Sequence, residues 1–219
     1  MIRVMPAPAP EDFDLRVRQP GLDAIAELVG EPTSRRRPGP RRKKIAESRD
    51  RIPPEHFPPF WRKVLPDMLV AYRRLCAYSA LYIEYATGGP SVDHVIPKST
   101  SWDRVYEWSN YRLACVLVNA RKNDVSLLLD PFEIEEGLFV LEFFEFQVKP
   151  GEQAVGELEW KVLDTVEKLG LNRSDCCKAR EEYFWNYRNG DIRLDYLERR
   201  APFVARELRR QGRLNPGDV

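Results

Sequence analysis

Residues Val92 to Asp124 read VDHVIPKSTSWDRVYEWSNYRLACVLVNARKND, and the fold expected for the whole chain turns on them. The run from Ser91 to Val95 predicts a strand, and Pro97, which cannot donate to a ladder, marks its end. A loop through Trp108, a second strand from Tyr111 to Ala114 and a helix from about Cys115 to Asp124 follow. One of only two histidines, His94, directly follows Asp93, and Asn110 and Asn119 come within the next 25 residues. Successive side chains of an ideal strand face opposite sides, so Asp93 and His94 can serve one site only where the strand ends or distorts. The other histidine, His56, sits among prolines outside this stretch and is read as structural.

Outward from this stretch, a chain of 219 residues with 43% hydrophobic and 11% aromatic residues can bury a proper core. It contains no run of about 18 uncharged apolar residues that would cross a membrane. The N-terminus has prolines where a secretion signal needs an apolar stretch, so a cytoplasmic location is expected. Four cysteines, with Cys176 and Cys177 adjacent, do not make the spaced framework of a secreted scaffold, and reduced thiols are expected.

Charge is unevenly placed. Residues 35–44, RRRPGPRRKK, hold seven of the 35 basic residues and no acid, which leaves 28 basic against 34 acidic elsewhere. Such a run repels itself and cannot be buried, so composition reads it either as a flexible linker or as an arm for a polyanion. Eight glutamates against one lysine between positions 133 and 159 make another face that repels phosphate. Seven arginines from Arg193 to Arg213 fit a second anion-facing surface or a solvated helix face equally well.

Elsewhere the chain divides into three sections: residues 1–58, a leader, short helix and basic arm; 59–130, the core with a preceding helix; and 131–219, a β-hairpin and helical extension. The first helix runs through LDAIAELV to Gly30, a C-terminal stop. Regular structure is not expected between 31 and 58. Apolar and aromatic residues from Phe60 to Ala86 predict a long helix or two shorter segments, with Tyr72, Tyr78, Tyr82 and Tyr85 read as packing. The run FEIEEGLFVLEFFEFQVKP predicts a hairpin turning at Glu135-Glu136-Gly137. Three helices follow, the last interrupted near Pro202.

The segments Asp93-His-Val-Ile-Pro-Lys-Ser99, Trp108-Ser-Asn-Tyr-Arg-Leu-Ala-Cys115 and Asn119-Ala-Arg-Lys-Asn-Asp124 together resemble the HNH nucleases. The form is the His-Asn-Asn variant found in the HNH domain of RNA-guided CRISPR nucleases. That resemblance implies an α+β fold around a ββα-metal unit, and an endonuclease that cuts DNA to leave 5′-phosphate and 3′-hydroxyl ends. His94 suits a general base, because imidazole titrates near neutral pH. Asp93 and Asn119 offer hard oxygens to a cation that keeps several waters, which fits magnesium, with manganese as a substitute. By resemblance alone, Asn110 ties the loop to the backbone of the base and Lys122 faces the phosphate. By residue type alone, Asn110 suits a turn and Lys122 an exposed helix position.

With DNA as the ligand, the arm residues Arg35, Arg36, Arg37, Arg41, Arg42, Lys43 and Lys44 become its expected contacts. Many HNH proteins carry two Cys-x-x-Cys knuckles, and the corresponding positions here read Cys76-Ala-Tyr-Ser79 and Cys115-Val-Leu-Val118, so structural zinc is not expected. LDTVEKLGLN and the arginine-bearing helix after it are similar to HNH subunits paired with ATPases in Septu-type antiphage systems, which implies an ATPase partner and a role in bacterial defence. Two other classes compete: a non-catalytic nucleic-acid-binding or assembly subunit, and a nuclease acting on RNA.

Overall fold

A computed structural model describes residues 1–35, 38–126 and 129–218. The fold is mixed α and β, with two small antiparallel sheets surrounded by helices. Among the described residues, no helix is long and apolar enough to cross a membrane.

The central element is a pair of strands, β1 (Pro90–His94) and β2 (Tyr111–Cys115), joined in the register Pro90↔Cys115 to His94↔Tyr111. Helix α3 (Val116–Lys122) leaves β2 without an intervening loop. Val92, Tyr111, Leu113, Ala114 and Val118 are buried, so this unit sits in the core.

In front of it, a π-helical turn at Asp14–Arg18 runs into α1 (Gln19–Val29), whose Ala24, Ile25, Leu28 and Val29 face the core. Gly30 ends α1 in the left-handed conformation (φ 80°), which glycine adopts without a Cβ clash. Among the described residues between 31 and 58, regular structure is limited to short 3-10 turns at Arg49–Arg51 and Pro54–His56. The leader is held in place: Trp108 Nε1 donates to the Ala7 carbonyl at 2.8 Å, Val4 N to Pro131 O at 2.8 Å, and Met1 is buried.

Residues 60–86 differ from the helical expectation. A 3-10 turn, Phe60–Val64, leads into α2 (Leu65–Ala71), and the helix stops there. Arg73 and Arg74 both take positive φ, and the chain turns back so that Leu75 bridges Tyr82. Tertiary contacts override the helical spacing: Ala77 N bonds to Leu113 O of β2 at 2.8 Å, and Arg74 reaches the carbonyls of Ile83 and Glu84.

The hairpin forms from β3 (Phe139–Leu141) and β4 (Val148–Pro150), but its turn lies at residues 142–147, not at Glu135-Glu136-Gly137. Glu142 decides this position, because its carboxylate accepts the backbone N–H groups of Phe144, Glu145 and Gln147. Helices α4 (Glu157–Leu169), α5 (Ser174–Arg188), α6 (Leu194–Arg200) and α7 (Pro202–Arg210) complete the chain. Pro202 separates the last two and starts α7, where its missing N–H is harmless. One hydrophobic cluster runs from Met1 to Leu208, so the three sections share a single core.

Gly21 of α1 lies flat against Tyr106, and a Cβ there would come 2.3 Å from the ring. Gly21→Ala removes a helix-destabilising residue, a gain of about 1 kcal/mol, but forces a clash expected to cost ~1–3 kcal/mol. A lower denaturant midpoint at unchanged m-value is therefore expected; a higher midpoint would show that Tyr106 yields freely.

Candidate active site

Asp93 and His94 end β1, and Asn119 stands on α3 beside them. All three line one cleft of about 740 Å³, together with Trp61, Arg62 and Lys98.

His94 is buried and held from three directions. Trp61 packs its edge against the imidazole at 4.7 Å, and Tyr111 does so at 5.2 Å. Its Nε2 lies 3.0 Å from the Val105 carbonyl, which also accepts the Tyr111 hydroxyl at 2.9 Å. A carbonyl can only accept, so Nε2 carries the proton and Nδ1 keeps its lone pair. Burial pushes His94 down to about 4, helped by the positive charges of Lys98 and Lys122 and opposed by the bond to Val105. The imidazole is therefore neutral at ordinary pH.

Asn110 closes the loop after His94. Its Oδ1 accepts the N–H of Ile96 at 2.8 Å, while its Nδ2 donates to the carbonyls of Ile96 and Arg104 at 3.0 Å each. Its own carbonyl takes the N–H of Val95. The loop between His94 and Asn110 is thus fastened near both of its ends.

Asp93 is 3% exposed. Tyr78 donates its hydroxyl to Oδ2 in a short hydrogen bond, and Lys122 Nζ lies 3.1 Å from Oδ1. Burial raises the Asp93 carboxyl, against the pull of Lys122 and Tyr78. On Asn119, Nδ2 donates to Ser91 Oγ at 3.1 Å and to Val92 O at 3.5 Å, and the amide oxygen has no hydrogen-bond partner among the described residues.

The expected position of Lys122 needs correcting. It does not face the cleft: it is fully buried, with Nζ also donating to the His94 carbonyl at 2.8 Å. The buried Asp93 requires a cation beside it, and Lys122, projecting from the last turn of α3, is the one within reach. The cations that do line the cleft are Arg62 and Lys98, which sequence reasoning passed over. Lys98 stands four residues beyond His94 in the same motif, but nothing in its residue type sets it apart. Tyr78, read as packing, is a direct partner of Asp93.

Two residues of the arm have partners within the chain. Arg42 is taken up by the buried Glu27 carboxylate at 2.7 Å, and Lys44 pairs with Glu47 at 2.6 Å. Arg35, Arg41 and Lys43 are exposed, and Arg36 and Arg37 lie outside the described residues. Several C-terminal arginines are also paired: Arg206 and Arg210 with the buried Glu207, Arg209 with Glu198 and Arg200 with Glu84, with Arg209 and Arg210 remaining exposed.

Cys76 and Cys115 come together although they are 39 positions apart. The Cys115 thiol bonds to Cys76, which draws the Cys76 thiol down and pushes the Cys115 thiol up. Cys176 is elsewhere, on α5, and receives a hydrogen bond from Arg121 Nη1 at 3.5 Å. Among the described residues, no three His, Cys, Asp or Glu side chains converge as a metal cage. The donors at the cleft are oxygens: Asp93, whose two oxygens have lone pairs beyond those already bonded, and the Asn119 amide. Such a lean set fits a hard cation that keeps most of its water.

Neither protein-family models nor curated proteins give a match to this chain.

The neutral, buried imidazole has a consequence for stability in the metal-free protein. Above pH ~6.5 it is uncharged both folded and unfolded, but below that the unfolded chain takes up a proton first. Stability should therefore fall between about pH 6.5 and 4, by up to about 3 kcal/mol, and this contribution should level off below. His94→Gln should remove that part of the acid limb in denaturant titrations at stepped pH. An unchanged limb would mean that His94 is not held neutral.

Proposed function

We propose that the protein is a metal-dependent, HNH-type endonuclease that hydrolyses phosphodiester bonds in DNA. The observation that carries this reading is the convergence of Asp93, His94 and Asn119 on one cleft, with His94 neutral and its Nδ1 lone pair unspent. The order of the elements, strand, fastened loop, strand and helix, supports reading them as a ββα-metal unit.

In this reading, Nδ1 of His94 takes the proton from the attacking water. The Val105 carbonyl holds the tautomer and, with Trp61 and Tyr111, the plane of the ring. Asn110 keeps the intervening loop in register. Asp93 and Asn119 would hold magnesium, for which manganese would substitute, and the ion would supply positive charge to the phosphodiester. Lys122 and Tyr78 keep the Asp93 carboxylate in place.

A second reading, a nucleic-acid-binding subunit without catalysis, draws on one observation. Asp93 is already paired with Lys122, so its attraction for a further cation is weakened. Incubation with supercoiled plasmid and magnesium separates the two, since only the endonuclease converts the plasmid to nicked or linear forms.

His94→Ala should lower cleavage by at least ~10²-fold in a protein that still folds. Asp93→Ala and Asn119→Ala should also fail, with raised magnesium restoring part of the Asn119→Ala activity and little of the Asp93→Ala activity. Full cleavage by folded His94→Ala protein would overturn the role of His94, and the reverse order of magnesium rescue would overturn the ligand roles.

A further inference from the structure

Many cations of this chain are ion-paired, among them Arg16 with Asp67, Arg112 with Asp130 and Arg210 with Glu207. The two cations that line the cleft are not. Among the described residues, neither Arg62 nor Lys98 has a carboxylate within the 4.0 Å of an ion pair, and the Arg62 guanidinium has no hydrogen-bond partner. Arg62 is exposed on the 3-10 turn before α2. Lys98 is half-buried, with its ammonium 4.9 Å from the centre of the Trp61 ring. That same ring holds His94. Both cations therefore stand beside the base.

Lys98 carries a physical cost that its protein neighbours do not remove. Burial pushes its ammonium down; the Asp124 carboxylate opposes this, the Arg62 charge adds to it and Glu55 opposes it more weakly, and the balance stays downward. Partly desolvated positive charge without an acid is destabilising on its own, and an anion in the cleft would relieve it. The acids of the cleft do not fill that place: Asp93 is already neutralised by Lys122, which leaves Asp124 as the other carboxylate on the wall.

We infer that Arg62 and Lys98 are the phosphate-binding residues of the cleft, and that they take the backbone of a nucleic-acid strand laid across His94. The inference rests on the endonuclease reading for what happens at His94, but not for the binding itself. Two separate positive groups around a cleft of about 740 Å³ suit several phosphates in a row better than a single one. Trp61 is buried, so its face is not offered to a base, and the contacts carry no sequence preference.

The test uses full-length His94→Ala protein, which binds without turning substrate over, and a fluorescently labelled DNA duplex followed by anisotropy across a salt series without added metal. Lys98→Gln and Arg62→Gln, each added to that background, should weaken binding about tenfold at moderate salt and flatten the slope of log K against log salt by ~0.9 per lost phosphate contact. Lys98→Arg should keep the slope. Unchanged affinity and slope in both Gln variants, with near-ultraviolet circular dichroism showing an intact fold, would overturn the proposal. Competition by a mononucleotide as effective as that by the duplex would overturn the extended-backbone assignment. Plasmid cleavage by protein with native His94 is scored separately: binding that depends on Arg62 and Lys98 without any cleavage sinks the endonuclease reading and leaves this proposal standing, while cleavage by a protein whose binding ignores both residues does the opposite.

Discussion

The buried ion pair between Asp93 and Lys122 constrains everything around it. Taking a carboxylate out of water costs several kcal/mol unless it is paired and hydrogen-bonded. Asp93 meets both conditions through Lys122 and Tyr78, which come from α3 and from the turn after α2. Lys122 also caps the carbonyl of His94, the last residue of β1. The strand can stop there without an orphaned acceptor, and two neighbouring residues, whose side chains would ordinarily diverge, both reach the cleft. Fold and site are therefore not separable at this point, because removing either charge would leave the other buried alone.

Around that pair, distant parts of the chain supply the walls. Trp61 comes from the turn before α2, Tyr111 from β2 and the Val105 carbonyl from the loop that Asn110 fastens. Gly21 lets α1 lie against Tyr106, the residue after Val105, and Tyr106 in turn donates its hydroxyl to Pro58 at 2.9 Å. The N-terminal third of the chain is thus part of the support of the imidazole, which explains why its leader and first helix share the common core.

The strand, loop, strand and helix order was legible because a strand needs only local signals: β-branched and aromatic residues, a proline past its end and a polar loop. The meeting of Asp93, His94 and Asn119 was expected from the resemblance of three short segments to the HNH nucleases, because strand alternation by itself would send Asp93 and His94 to opposite sides. The direction of Lys122 could not, since a lysine on a seven-residue helix reads as exposed until the buried acid it must neutralise is known. Tyr78 was hidden for the same reason. Its hydroxyl matters only because Asp93 lies opposite. Residues 72–86 have helical spacing, yet contacts with β2 and the Arg74 bonds to backbone carbonyls turn them into a knuckle, and the hairpin turn moved to where a single carboxylate could collect three backbone donors.

Charge taught the same lesson in reverse. The basic run at residues 35–44 is the most conspicuous in the sequence, yet Arg42 is spent on the buried Glu27, and Lys44 on Glu47. Lys98 and Arg62 are scattered singly along the chain and attract no notice there. In space they line the same cleft as the buried, neutral His94, and among the described residues neither is in ion-pair contact with an acid. What a cation can offer to a ligand depends on whether the fold has already supplied it with a partner, and that is a property of tertiary structure: a sequence lists the charges, and the packing decides which of them remain available.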